Sequence, residues 1–506
     1  MDIHASRQAA QGIGRGMDSD VIVVGAGNAA LTAALSAAES RADILVLEKA
    51  PMHERGGNTA MTAGIFRHAH DGKQDIIRLV DGMSQKDWNG IEIHPYPAKE
   101  LYDDVMKLSN GKADPVLSKV WTDNSYETML WMKEGLGIKF AFTDFFTQTA
   151  SAIKEFMGPE VIKAKDGGPG LSSALFSKSE RSKNVTIQYD TKVESLIMES
   201  GSVIGVRANA GGKTIEVKAK SVVLGSGGFE ASRELRSRFL GGAWERAKVR
   251  GTRHNTGEAL LAAIEAGAGI YGDVSGCHAT QIDSRAPDYG NIEITDKTSR
   301  YSWPYGILVN KEGKRFVDEG EDFAPIAYAK VGRMIVRQSD AIAYQVFDQR
   351  TVGLLEKEYG TMAPITVQSF AQLGEKVDID AVQLGKTVEE FNRSVDGARA
   401  FNPRIKDGRG TRGIRPGKTN WAQVLDKPPF VVYPVTCGIT FTYGGLRINE
   451  KAQVLDRHGS TIPGLYATGE ITGGFFYSSY PRGSGLTRGA VFGRIAGAEA
   501  ASSAGF

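Results

Sequence analysis

An apolar run, Val21-Ile22-Val23-Val24, opens directly into Gly25-Ala26-Gly27-Asn28-Ala29-Ala30, and a second run, Ile44-Leu45-Val46-Leu47, stops on Glu48. This order demands a strand, a tight glycine turn, a helix and a second, parallel strand. Gly25 makes the turn, Gly27 lets the backbone approach a pyrophosphate, and Ala30 keeps the helix close to the sheet. The helix N-terminus, at Asn28 and Ala29, then offers N–H groups and a positive dipole end to phosphate. Glu48 lies twenty-three residues after Gly25 and is placed to accept hydrogen bonds from ribose hydroxyls, with Lys49 beside it. The competing reading is an ordinary glycine-rich turn. The small-residue helix from Ala29 to Ala38 and the acidic strand end argue against it.

The next stretches decide which dinucleotide. Arg55-Gly56-Gly57-Asn58-Thr59-Ala60-Met61-Thr62-Ala63-Gly64 can lay N–H groups along a pyrophosphate and a ribityl chain, which a nicotinamide cofactor does not require. Val222-Val223-Leu224-Gly225-Ser226-Gly227-Gly228 is a buried strand ending in glycines, and Ile462 to Glu470 is a turn, a strand and an acidic stop. Gly483-Ser484-Gly485-Leu486-Thr487 opens a helix through Ala500. A second Gly-x-Gly-x-x-Gly unit, as needed for direct NAD(P)H entry, is missing: Gly225 to Glu230 lacks the spacing and the downstream acid.

These motifs, in this order, resemble the fumarate reductase/succinate dehydrogenase flavoprotein superfamily, whose soluble members include flavocytochrome-type fumarate reductases and 3-ketosteroid dehydrogenases. Gly251 to Gly257, Asp318 to Phe323 and Val435 to Tyr443 look most like the FAD-dependent tricarballylate dehydrogenase branch. The resemblance implies an α/β fold: a Rossmann-like FAD-binding domain of the glutathione-reductase type with an inserted α+β capping domain. It implies FAD as cofactor, held also by Val193, Ser226, Gly227, Glu258, Glu470, Ser484, Gly485 and Leu486. In the membrane-bound members a histidine carries the flavin covalently. Asn58 stands at that position, so non-covalent FAD is expected.

Chemistry in the family is a two-electron exchange across a carbon–carbon bond: one carbon gives hydride to flavin N5, and its neighbour gives a proton to a base. A carboxylate substrate calls for arginine and histidine; a ketone calls for tyrosine or backbone donors. By resemblance His278, in Gly276-Cys277-His278-Ala279-Thr280, matches a carboxylate-binding histidine, against the reading of a structural histidine. Arg253-His254 either faces the flavin or caps a loop, and Arg482, in Tyr480-Pro481-Arg482-Gly483, binds substrate or makes a surface ion pair. Arg285 and Arg300 are weaker candidates. Two departures stand out: no arginine occurs between Asp318 and Ala324, where the family's catalytic acid belongs, and Phe441 replaces a histidine before Gly444-Gly445. Tyr443 is the alternative proton donor or acceptor, with Tyr301, Tyr305 and Tyr328 behind it.

The leading expectation is desaturation of a saturated carboxylate, tricarballylate or another polycarboxylate, with electrons passed to a separate electron-transfer protein or quinone-linked partner. The reverse, an ene-reductase, uses the same site. A ketone desaturase fits the tyrosines but leaves the arginines unexplained, and a flavin subunit docking to a membrane electron-transfer protein is a reading from another class. A flavin hydroxylase lacks a motif for NAD(P)H entry.

Length and charge limit the rest. The 506 residues, 41% of them hydrophobic, suffice for two cores, and 61 basic against 59 acidic side chains give no pull toward nucleic acid or membrane. Cys277 and Cys437 make no metal pattern and read as buried thiols of a reducing compartment. With no apolar run near twenty residues, no membrane span is expected, and the protein reads as cytoplasmic. The expected division is a disordered leader over 1–17, FAD-binding segments over 18–271 and 434–506, and a capping domain over 272–433. The basic tract Gly408 to Gly417 reads as a solvated loop, with a substrate lid or a partner surface as the alternatives.

Overall fold

A computed structural model describes residues 18–143, 147–150, 153–156 and 160–506, with the side chains of 147–156 and of residue 325 outside that description. The leader expected over 1–17 lies outside the described residues. Strand β1 (Ser19–Val24) feeds helix α1 (Asn28–Ala38) and then β2 (Ile44–Leu47), as the glycine turn requires. Further along come β3 (Val185–Gln188), β4 (Thr191–Glu199), β5 (Ser202–Ala210) and β6 (Lys213–Leu224). Helix α2 (Glu258–Glu265) follows, then β7 (Cys277–Asp283), β8 (Ile307–Asn310), β9 (Ile342–Phe347) and β10 (Phe430–Thr442). The chain returns through β11 (Gln453–Leu455) and β12 (Thr461–Ala467) to the helix α3 (Ser484–Ser503).

The first sheet has eight strands, with the path β4-β5-β6-β1-β2-β3, β12 on β6 and β11 on β12. Its central strands are parallel, and their register aligns Leu47 with Val24, Val24 with Leu224, and Leu224 with Ala467. Four strands therefore end in one row, and the chain leaves that row as Glu48, Gly25, Gly225 and Thr468. This is where an open parallel sheet binds its ligand. Val21 to Val24 are buried on both faces, each contributing about 1.5–3 kcal/mol of apolar burial. Helix α3 lies along α1 by virtue of small residues four apart. A Cβ on Gly493 would run into Thr32, and one on Gly497 into the Ala33 carbonyl.

The second sheet has six strands around β10: β7, β9 and the short strand Ile365–Val367 pair with it antiparallel, Lys248–Val249 parallel, and β8 lies outside β9. β10 is thirteen residues long; its first half pairs with β9 and its last residues reach the first sheet's cavity. Cys277 and Cys437 are both buried and free, on neighbouring strands. Among the described residues no helix is long and apolar enough to cross a membrane.

Candidate active site

A cavity of about 780 Å³ opens at the row of strand ends. One end is built by the motifs read from sequence. Gly25, Gly27, Asn28, Ala29, Glu48, Lys49, Gly57, Asn58, Thr59, Ala63, Gly64, Val193, Ser226, Gly227, Glu258, Glu470, Gly485 and Leu486 all line it. Gly25 has φ +95°, and a Cβ there would stand 2.7 Å from the Gly225 carbonyl oxygen, so the turn admits no side chain. Ala30, Gly56 and Ser484 stand behind the wall. Ala30 is fully buried where a Cβ on Gly225 would come within 2.8 Å of its own. Gly56 takes φ +101° to start the loop, and Ser484 is buried at the start of α3.

Thr59 Oγ1 accepts from the Asn28 N–H at 2.9 Å, and Asn28 Nδ2 donates to the Leu486 carbonyl at 2.9 Å, tying three motifs together. The Asn28 Oδ1 is buried without a protein partner. Burial pushes the Glu48 carboxyl up, against hydrogen bonds from the Ala50 and Ala26 N–H groups. Lys49 pairs with Glu258 at 2.7 Å. Burial raises Glu258, but the hydrogen bonds from Lys49 and Thr256 hold it below the usual range.

At this end two carboxyls meet, Glu230 fully buried and Glu470 part-buried on the cavity wall. Asn58 and Asn255 donate to Glu230 Oε1 at 2.8 and 2.7 Å, while the Thr442 N–H and hydroxyl reach Glu470 Oε1 at 2.9 and 3.2 Å. Burial pushes both carboxyls up, and the charge of Glu230 adds to this at Glu470. Asn58 is fully engaged, since it also donates to the Thr440 carbonyl and accepts from the Thr252 N–H, each at 2.9 Å.

The far end of the cavity is lined by Arg250, His278, Asp296, Ser299, Tyr301, Tyr328, Glu356, Lys357, Glu358, Thr440, Phe441, Tyr480, Arg482 and Arg488. His278 stacks on Phe441 (centroids 5.2 Å apart, 24°) between the rings of Tyr328 and Tyr480. Burial, then the Arg250 charge, drives its pKa far below the ordinary value, so the ring is neutral, and its Nδ1 has no protein partner. Arg482 is held by Glu160, with Nε and Nη2 at 2.6 and 2.5 Å from Oε2. Arg67 binds the other oxygen of Glu160 at 2.8 Å. Arg250 reaches Ser299 Oγ, Thr440 Oγ1 and Asp296 Oδ2 at 3.2–3.4 Å. Burial raises Tyr328 well above its ordinary pKa and Tyr480 to about 12.

The geometry thus brings His278 and Arg482 together and separates them from Arg253 and Tyr443. Arg253 lies outside the cavity, over the ring of Tyr289 at 5.8 Å. His254 lines the cavity at the Glu48 end, with Nε2 2.7 Å from Glu54. Tyr443 is buried behind the wall, packed on Phe441 and Phe476. Tyr301 and Tyr328 reach the cavity, whereas the Tyr305 hydroxyl turns to the Pro403 carbonyl. Arg285 and Arg300 both bind buried Asp283, at 2.7 and 3.0 Å. Between Asp318 and Ala324 the acidic Glu319 is locked to Arg315. Sequence reasoning missed Arg250, Glu160, Asp296, Glu356 and Tyr480. Arg250 and Tyr480 adjoin motifs that were read, and Glu160 carries no local signal.

A family profile described as "FAD binding domain" matches residues 20–486. A urocanate reductase of Eggerthella lenta is 29% identical over 96% of this chain and 75% of its own length. A fumarate reductase (cytochrome) of Shewanella frigidimarina is 28% identical over 98% of this chain and 79% of its length. The open conformation of a flavocytochrome c3 fumarate reductase superposes with a TM-score of 0.74 at 24% identity, over all of this chain and 82% of that one.

Proposed function

Since this chain belongs to the FAD binding domain family, and is an FAD-dependent oxidoreductase of the fumarate reductase group acting on carbon–carbon bonds, we propose that it exchanges two electrons across a C–C bond next to a carboxylate. The observation that carries this reading is the convergence of Arg250, Arg482 and a neutral His278 at the end of the cavity that begins at Glu48.

The cavity fits FAD on its own terms. Gly27 and Gly57 leave backbone approachable, Asn28 Oδ1 lacks a protein partner inside the wall, and Glu48 and Lys49 stand where a ribose belongs. Residues 272–433 are read as the cap over this cavity. Asn58 has its amide engaged by Glu230, Thr440 and Thr252, which supports non-covalent attachment. Bound flavin supplies the hydride chemistry. The chain's own groups do the rest: guanidinium N–H donors hold carboxylate oxygens, neutral His278 accepts or donates one further hydrogen bond, and the ring cluster of Phe441, Tyr328 and Tyr480 keeps water from the reacting carbons.

Tricarballylate desaturation is the specific form of this reading, with a separate electron carrier and no direct NAD(P)H. Three tyrosines on the same wall favour a second reading, a ketone-directed desaturase. The test is an anaerobic visible spectrum of the purified protein titrated with tricarballylate, succinate and a 3-ketosteroid, and a reduced sample titrated with aconitate, fumarate and urocanate. Bleaching by tricarballylate supports desaturation, and reoxidation by an alkenoic acid alone supports the reductive direction. Bleaching by the steroid alone overturns the carboxylate reading, and a change seen only with a partner protein present supports a docking subunit. Arg482→Ala is expected to weaken carboxylate binding while FAD stays bound.

A further inference from the structure

The cavity needs a group that gives and takes a proton near neutral pH, and the residues singled out so far do not supply it. His278 is neutral throughout that range; Tyr328 and Tyr480 keep their protons. Burial lowers Arg488 only to about 10, and Asp296 is engaged by Arg250 at 3.4 Å. No arginine stands between Asp318 and Ala324.

One turn of the cavity wall carries carboxyls that nothing else uses. Glu356 and Glu358 line the cavity, and neither side chain has a hydrogen-bond or ion-pair partner among the described residues. The turn is fixed in place. The Glu356 N–H donates to Ser302 Oγ at 3.0 Å, the Ser302 N–H donates to Tyr359 Oη at 2.9 Å, and Arg300 Nη1 donates to the Glu358 carbonyl at 3.0 Å. Tyr359 is buried, and its hydroxyl donates to Gln345 at 2.7 Å. The turn is thereby set in register with residues 300–302, the segment that places Tyr301 in the cavity with its hydroxyl unpartnered.

We propose that Glu356 is the acid–base group of this site, exchanging the substrate's proton with solvent through the open side of the cavity. In the oxidative direction one carbon would give up its hydrogen, with the C–H electron pair, as hydride to bound flavin; the neighbouring carbon gives its proton to the Glu356 carboxylate, and that C–H electron pair becomes the double bond. The reductive direction runs these steps backward. The inference rests on the carboxylate reading above. Glu356 is an exposed residue at the rim of the cavity, and the charges facing it agree with the proposal: partial loss of solvent first, then Glu358 and Asp296, push its carboxyl up to about 7, against Arg482 and Lys357. A carboxyl so poised is in its best range for general acid–base work.

The test is anaerobic rapid-mixing bleaching of holoenzyme by tricarballylate between pH 5.5 and 9, with infrared titration of the same samples. Wild type should speed up as pH rises through about 7, and one carboxylic C=O band should fade over the same interval. Glu356→Gln should slow bleaching by about 10²–10³-fold, flatten the profile and lack the band, with FAD content unchanged. Glu356→Asp should restore part of the rate and the pH limb. Glu358→Gln removes a like charge and should move the limb toward acid without abolishing it. A Glu356→Gln enzyme within threefold of wild type, with its pH limb intact, overturns the proposal. If wild type is not bleached, the substrate reading fails instead, and absence of a Glu356-dependent band then overturns the proposal independently.

Discussion

The two ends of the cavity are made of different material. At the Glu48 end the floor is glycine backbone, from Gly25, Gly27 and Gly225 to Gly227 at the strand ends, with Asn28, Glu48 and Lys49 around it. At the Arg482 end the wall is long side chains from well-separated stretches, and His278 Nδ1 and Tyr301 Oη end there without protein partners. A backbone wall cannot be altered without altering the sheet. A side-chain wall can be changed one residue at a time, so single substitutions at the two ends are expected to separate substrate choice from cofactor retention.

The largest effect expected from that contrast is at the rigid end. Gly25→Val places atoms on the Gly225 carbonyl at a left-handed φ, and the purified variant should contain no FAD by absorbance. Retention of full flavin would break the comparison. At the other end, Arg250→Ala should raise the dissociation constant for a carboxylate about 100-fold, the scale of a lost charge-assisted hydrogen bond, while the flavin spectrum stays unchanged. Arg250→Lys should recover only part of this, because the fork is lost.

Glu160→Gln tests the contact that aims Arg482. Weakening a charge-assisted pair should raise KM by about tenfold with a smaller change in kcat, a split that titration and turnover together measure. Smallest is the pH effect of the Glu230–Glu470 pair. Burial pushes the Glu230 and Glu470 carboxyls up, so the folded protein keeps protons that the unfolded chain releases above the ordinary carboxyl range. Their contribution to stability therefore falls as pH rises from that range toward the folded values. Glu470→Gln should lose less Tm than wild type between pH 5.5 and 8.5.

How far the sequence could be read follows the same division. The β1-α1-β2 unit and the loop at Gly56 to Thr59 were legible because their residue types and spacing are dictated by local turn and helix geometry, even though their walls are closed by distant residues such as Gly225, Glu230 and Leu486. Arg250 was not, although Arg253 and His254 next to it were read. What selects among the three is the pairing of Lys248–Val249 with Gly438–Ile439 and the Arg250 N–H to the Ile439 carbonyl at 2.7 Å, nearly two hundred residues away. Glu160 and Glu356 are set by tertiary register alone, and no spacing announces them.

The packing of α3 on α1, and of β12 on β6, also governs when this protein can be made whole. Leu486 and the Gly493–Gly497 face, which close the nucleotide turn at Gly25, are synthesised more than four hundred and fifty residues after it. At roughly 5–20 residues per second of synthesis, the nascent chain spends tens of seconds with that turn uncovered and β6 lacking its outer neighbour. Closure of the cofactor turn thus waits for the synthesis of α3, and in that interval the turn is open to a chaperone or a protease.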